Sequence, residues 1–333
     1  MRLSFQVSGK IFRQNIGRAL AAAAILVTGA TMSEARHAQL FGPGPDNLED
    51  CSRLKGYQLN ACHAMNEAKR QQHRQEQMQQ VPKKGTPTAS KCPSSRLNKP
   101  GALACKISNN AAPGCRALAP KGWKKLSGNA KDVGAGPVGN IWAISNAGEA
   151  KRFSFGKWIG LKKKGTRIDA GRKGLACMVG ANSEAYCFKT GGGQKLPGKV
   201  TDIGVGPKGE IWALNAKKAN CNYGIQKWTG KKWEKISGGA VRLDVDPKGM
   251  PWVINSNNNI FRYDGRKWHQ LIGSAWDIGI GANGDVWVIG SDYAPYKYDG
   301  KYWVRTPGQL GSISVQADGK PVGTDSQGNV YMQ

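Results

Sequence analysis

Two residue series held in one register predict an all-β chain, a six-bladed β-propeller of four-stranded blades. Trp123, Trp158, Trp233, Trp268 and Trp303 mark repeat starts, with Gly193 where a sixth Trp would stand, at spacings of 35, 35, 40, 35 and 35. Gly139, Gly174, Gly209, Gly249, Gly284 and Gly319 keep the same spacings. Two residue types sharing a register make coincidence a poor account of either. Repeats of this length, written as four short period-two runs, are the signature of propeller blades.

One repeat shows how the runs divide. TDIGV (201–205) leads to the turn GPKG, then EIWALN (210–215), a loop, GIQKW (224–228), a further turn, and the next W-x-x-L. Apolar and polar residues alternate within each run, and Gly, Pro, Asn and Asp separate them. A solenoid would repeat similarly but would need capping repeats that are not evident. The ends of the series favour a ring. After Gly319 the repeat supplies only KPVGT and NVYMQ, while GWKKL (122–126) is a fourth strand without a blade before it. Pairing of that N-terminal strand with the last blade would close the propeller.

Upstream of the repeats the character changes. Arg2, Lys10, Arg13 and Arg18 precede an apolar run at 19–30 and a small-residue site at 33–35, which predicts a signal peptide over 1–35 rather than a membrane span. Residues 36–80 are rich in helix formers and predict a helical segment. Residues 81–118 read as a Pro/Ser/Lys-rich, Cys-containing linker, and 119–333 as the propeller. This small helical or irregular Cys-containing segment has too few large apolar residues for its own core. Export implies a secreted or periplasmic protein and favours disulfides for its eight Cys. Cys177 and Cys187 flank a hairpin centred on Asn182 and are predicted to bond. Cys51, Cys62, Cys92, Cys105, Cys115 and Cys221 allow 15 pairings, none readable here. Cys221 sits in the excess of the longest repeat, which suggests a tether to the N-terminal segment.

The phrases W-x-x-L-x-G, DIGVGPKGEIWALN and IFRYDGRKW resemble those of the tectonin repeat family over about residues 119–333. The second repeat departs, with Cys177 at the inner Trp position, and the sixth has Val322 there. The resemblance implies a six-bladed propeller with lectin-like recognition, since members bind lipopolysaccharide or modified sugars and others act as cellular scaffolds. It implies no cofactor.

The residues themselves limit the chemistry. No metal-ligand spacing, nucleophile elbow or phosphate loop occurs, and the propeller has a single His, His269, so a non-enzymatic role is expected. On the first strands stand Asp132, Arg167, Asp202, Arg242, Asp277 and Ser312. Two residues on stand Gly134, Asp169, Gly204, Asp244, Gly279 and Ser314. The acid alternates between levels and Arg occupies the vacated level twice, which predicts ion pairs between blades rather than a metal site.

A formal charge of +27 falls to +24 without residues 1–35. In an up-and-down blade the first and third turns share a face, and those turns carry Arg172, Lys173, Lys208, Lys248, Lys157, Lys231, Lys232, Arg266, Lys267 and Lys301. The acids expected there are chiefly Asp264, Asp299 and Asp318. The opposite face, apart from Lys162 to Lys164, is amide-rich. Such a cationic face fits a glycan or an anionic cell-surface polysaccharide, although lysines in turns also serve solubility alone. Nucleic acid fits the charge but not export, nor is there an aromatic-interleaved basic strand. A protein partner is the competing reading. Repeated Trp is expected to pack between blades, which leaves Trp276 and Tyr293, with loop residues Asn257 and Asn258, as contact candidates.

Overall fold

The computed structural model describes residues 55–79, 119–171, 174–189 and 192–333. They comprise one helix, α1 (Gly56–Gln79), and strands β1 to β21 between Lys124 and Met332. The helix and the β-structure are separate compact units. The helix falls inside the segment expected to be helical. The expected signal peptide and linker, and Arg172 and Lys173, lie outside the described residues.

Every strand pairing is antiparallel, and the pairings fall into six four-stranded groups. β2 (Asp132–Ala135), β3 (Ile141–Ile144), β4 (Glu149–Ser154) and the start of β5 (Lys157–Ala170) form the first blade. The long strands β5, β8 (Gly192–Val205) and β15 (Trp268–Ile280) end one blade and begin the next. The final group is β19 (Ser312–Val315), β20 (Pro321–Thr324) and β21 (Asn329–Met332), completed by β1 (Lys124–Asn129). Lys124 faces Met332 and Lys125 faces Tyr331, the pairing expected of the two loose ends. First strands β2, β5, β8, β12 (Arg242–Val245), β15 and β19 touch in cyclic order, so the groups surround one axis.

Burial declines outward along each blade. β2 and β3 are buried at every residue, β4 buries only Ala150, and β1 buries only Leu126. Buried strands read as continuous apolar runs, whereas outer ones need one apolar face. There is no single core: six clusters of buried side chains lie one at each interface between blades. The period-two alternation assigns them. Ile211 and Ala213 pack toward the second blade, while Trp212 and Leu214 pack toward the fourth.

The tryptophans clamp these interfaces, as expected. Inner Trp142, Trp212, Trp252 and Trp287 face the following blade. Outer Trp158, Trp233, Trp268 and Trp303 face the preceding one, and each indole N–H donates to a backbone carbonyl there: Ser127, Pro197, Ser237 and Ile272 respectively. The Gly of W-x-x-L-x-G makes room for that ring. A Cβ on Gly128 or Gly273 would stand 3.0 Å from Trp158 or Trp303. The repeat Gly has its own reason, since Gly209 has φ 94° in the turn between first and second strands.

Cys177 and Cys187 stand opposite on β6 (Ala176–Gly180) and β7 (Glu184–Lys189) and are disulfide-bonded. Cys62 and Cys221 are each disulfide-bonded too. Cys221 and Asn220, with φ 65° and 47°, form the two-residue turn of the lengthened hairpin β9 (Ile211–Ala219) and β10 (Asn222–Trp228).

Candidate functional site

The alternating acids solve a closure problem at the axis. Asp132 Oδ2 accepts the backbone N–H of Ile168, Asp169 that of Val205, Asp202 that of Leu243, Asp244 that of Ile280, and Asp277 that of Ile313. Ser314 Oγ accepts the N–H of Ala135 and completes the circuit. Each blade is thus stapled to the next in one rotational sense, and the staple alternates between two levels. Where the staple sits at the first level, Gly occupies the second. A Cβ on Gly134 would lie 2.6 Å from the Asp169 Cα, and one on Gly279 would lie 2.7 Å from the Ser314 Cα.

Ion pairing is present but more concentrated than the alternation predicts. Arg167 reaches Asp132 at 2.5 Å, Asp202 at 3.0 Å and, across the axis, Asp277 at 3.0 Å. Arg242 approaches Asp277 at 3.5 Å. Asp169 and Asp244 serve backbone N–H groups instead. Burial pushes the Asp132 carboxyl up to about 7 against the opposing pull of Arg167. Burial likewise lifts Asp169 to about 7 and holds Asp244 well above the usual range. Every carboxylate here is engaged within the ring, an arrangement suited to holding blades rather than to proton transfer with a substrate.

A stability consequence follows. Folding raises these carboxyls above their ordinary value of 3.8, so the native ring keeps protons that the unfolded chain releases. Stability is therefore expected to fall as pH rises from about 4 to about 7 and to level off above. Thermal midpoints across this range check it, and Asp169→Asn should flatten the slope.

The antiparallel meander places first and third turns at one rim. Lys208, Lys231, Lys232, Lys248, Arg266, Lys267 and Lys301 are all exposed there. Acids are more numerous at this rim than the sequence suggested. Besides Asp264, Asp299 and Asp318, the first turns of the third, fourth and fifth blades carry Glu210, Asp246 and Asp285. The reason is turn chemistry. Glu210 accepts the Lys208 N–H and Asp246 those of Lys248 and Met250, while Asp264 and Asp299 do the same in third turns. Hydrogen bonds from His269, Lys267 and Arg266 hold Asp264 well below the usual carboxylate range. Ion pairs at the rim join His269 to Asp264, Lys297 to Asp285 and Lys320 to Asp318; the seven exposed cations are in none of them.

One pattern at this rim was missed in the sequence. Trp142, Trp212, Trp252 and Trp287 each face a cation on the third strand: Arg152, Lys227, Arg262 and Lys297. The Arg152 guanidinium lies 5.9 Å from the Trp142 centroid and the Lys227 ammonium 5.5 Å from that of Trp212. In the second blade the disulfide occupies both positions. The signal was available, because Trp and Arg or Lys stand ten residues apart in three repeats and fifteen apart in the lengthened third.

A shallow cleft lies between the fifth blade and the residue that follows β21. It is lined by Asp285, Trp287, Lys297, Tyr298, Asp299, Val304, Thr306 and Gln333. Trp123 packs edge-on against Trp287 at 6.0 Å, and both indole N–H groups are buried without an acceptor among the described residues.

On the opposite face Trp276 and Tyr293 stack at 6.0 Å with planes 15° apart. Tyr293 is buried at 6% exposure, so of this pair only the half-buried Trp276 presents a surface. Asn257 is exposed, whereas Asn258 is half-buried at φ 64° and serves the turn. These amides are not brought together with the basic turns, which lie at the other rim.

Comparison with known proteins adds four findings. Tectonin-1 of Physarum polycephalum is 33% identical over 70 residues, which cover 21% of this chain and 30% of that protein. The chain thus matches less than a third of the length of that relative. Among solved structures, a streptogramin B lyase superposes with TM-score 0.46 at 12% identity, covering 63% of this chain and 96% of that one. The WD40 β-propeller domain of Doa1 does so with TM-score 0.44 at 13% identity, covering 65% and 95%. Likeness this low transfers no activity. A model of the Tectonin domain matches residues 108–238 and 240–333, both halves of the ring built above, and the chain belongs to that family.

Proposed function

We propose that this chain is an exported, non-catalytic glycan-binding propeller whose basic rim takes anionic envelope glycans, lipopolysaccharide among them. The observation that carries the reading is the contrast between two sets of charges. The acids of this rim are engaged by turn N–H groups or ion pairs, whereas seven cations from repeated turns stand exposed at the same rim and make no ion pair among the described residues. Membership of a family that suggests lectin-like or protein-interacting propellers supports it. The cleft beside Gln333 adds the half-buried Tyr298 next to the Lys297–Asp285 pair, an apolar ring among polar groups of the kind sugar rings require. Similar weak sites on one rigid ring gain avidity on a repetitive surface.

A glycan array with lipopolysaccharide included, at low and at physiological salt, tests this directly. Binding should weaken at higher salt and fall by about tenfold or more when Lys208, Lys248, Arg266 and Lys267 are changed together to Glu. Binding that survives those changes would exclude the cationic rim, and no binding at either salt would exclude the lectin reading. The amide-rich opposite face favours a second role as an envelope scaffold. Capture of a protein partner by a variant lacking glycan binding would identify it.

A further inference from the structure

The first blade departs from the others at this rim in a way that sugar binding does not explain. Phe155 is 102% exposed, as open as in an isolated peptide. It sits with φ 47° before Gly156 at φ 78°, between the paired residues Ser154 and Lys157. Two consecutive left-handed residues make a type I′ hairpin turn, for which Asn-Gly is preferred, and a bulky side chain at positive φ is strained. Folding gains nothing from Phe here and solubility is harmed.

Three further observations point the same way. Val138, in the first turn of the same blade, is 65% exposed and stands where the third and fourth blades have Lys208 and Lys248. First and third turns of one blade emerge at the same rim, so Val138 and Phe155 both stand exposed there, with Ile159 at 46% exposure on the strand that follows. Arg152 and Lys157, both exposed, flank it. Finally, residues 136–140 and 154–157 contain no Asp or Glu, while the first turns of the last four blades each carry one. Apolar exposure and the absence of acids coincide.

We propose that this corner docks on an anionic lipid bilayer, with Phe155 and Val138 entering among the headgroups and Arg152 and Lys157 on their phosphates. A protruding aromatic with flanking cations suits a deformable, negatively charged, interfacial partner. A protein partner would need a pocket matched to a convex finger. The proposal does not depend on glycan recognition, because the lipid used to test it carries no sugar.

The test is flotation of the full chain with vesicles of phosphatidylcholine containing about one third phosphatidylglycerol, against phosphatidylcholine alone. The native chain should float with the anionic vesicles and much less with the neutral ones. Phe155→Asn should reduce binding by about tenfold or more while leaving the thermal midpoint unchanged or higher, since Asn-Gly suits the turn. Phe155→Trp should retain binding. Native protein that fails to float, or Phe155→Asn that floats as well as native, overturns the proposal. So does a native dimer that Phe155→Asn dissociates in light scattering, which would assign the corner to a second copy. Vesicle failure leaves the glycan reading standing, and array failure leaves this one standing.

Discussion

Replacing Arg167 with Met is expected to destabilise the ring by about 3–5 kcal/mol near neutral pH, one of the two largest effects of any single change considered. The guanidinium holds Asp132, Asp202 and Asp277, all of them at 3% exposure or less. Removing it leaves three buried carboxylates facing one another around the axis, with Arg242 near only one of them. For Asp132, burial then acts without the opposing guanidinium, so its carboxyl should keep its proton to still higher pH. The loss should shrink as pH falls toward about 5, where a neutral Asp132 tolerates the apolar neighbour. Adding Asp132→Asn to Arg167→Met should recover part of the loss, although Asp132→Asn alone is destabilising. Denaturant titrations of the four proteins at two pH values make the measurement. A deficit independent of pH, or strict additivity, would show that the hub acts only by filling space.

Gly134→Ala comes next, expected to cost about 3 kcal/mol, the upper part of the usual range for overpacking. The new Cβ would lie 2.6 Å from the Asp169 Cα and 2.8 Å from the Ile168 carbonyl oxygen. All the atoms it meets are backbone, so no rotamer change relieves it. Relief requires the first and second blades to part, and the N–H of Ile168 to leave Asp132. Gly160→Ala is the matched control. No atom lies within 4 Å of its added Cβ, and its φ is not left-handed, so it should be neutral or slightly stabilising. Equal thermal midpoints for the two variants would refute the close-approach account.

The sequence carried the architecture because the information was local and repeated. Trp at one offset and Gly at another fix strand starts and turns, and two unpaired runs at the ends showed where closure should occur. The pairing of Cys177 with Cys187 was legible for the same reason, since a hairpin register is local. The axis was half legible. Alternation of Asp between two levels was visible, but its purpose was not, because the partner of each acid is a backbone N–H that composition does not reveal. The reach of Arg167 to Asp277 joins blades on different sides of the axis, and no sequence spacing encodes such a contact. At the rim the difficulty was of another kind. Glu210, Asp246 and Asp285 belong to turns already counted as basic, and only hydrogen bonding shows that they serve the backbone. Tyr293 looked available because it is off-register and aromatic, yet it is the lower member of a stack.

The latch between β1 and β21 has a consequence for the order of folding. Lys124 and Met332 are about 200 residues apart, so the latch closes a loop as long as the ring itself. Closure entropy grows only slowly with loop length, by about 0.6 kcal/mol per doubling, so the cost is modest once neighbouring blades have formed. In time, however, this contact must come late, because hairpins within blades form from residues close in sequence and this strand pair does not. A chain emerging N-terminus first from the ribosome would present β1 long before its partner appeared. Until then β1 would be a bare edge, and its sequence KKLSGN, with two lysines and one buried apolar side chain, is poorly suited to pairing with a wrong neighbour.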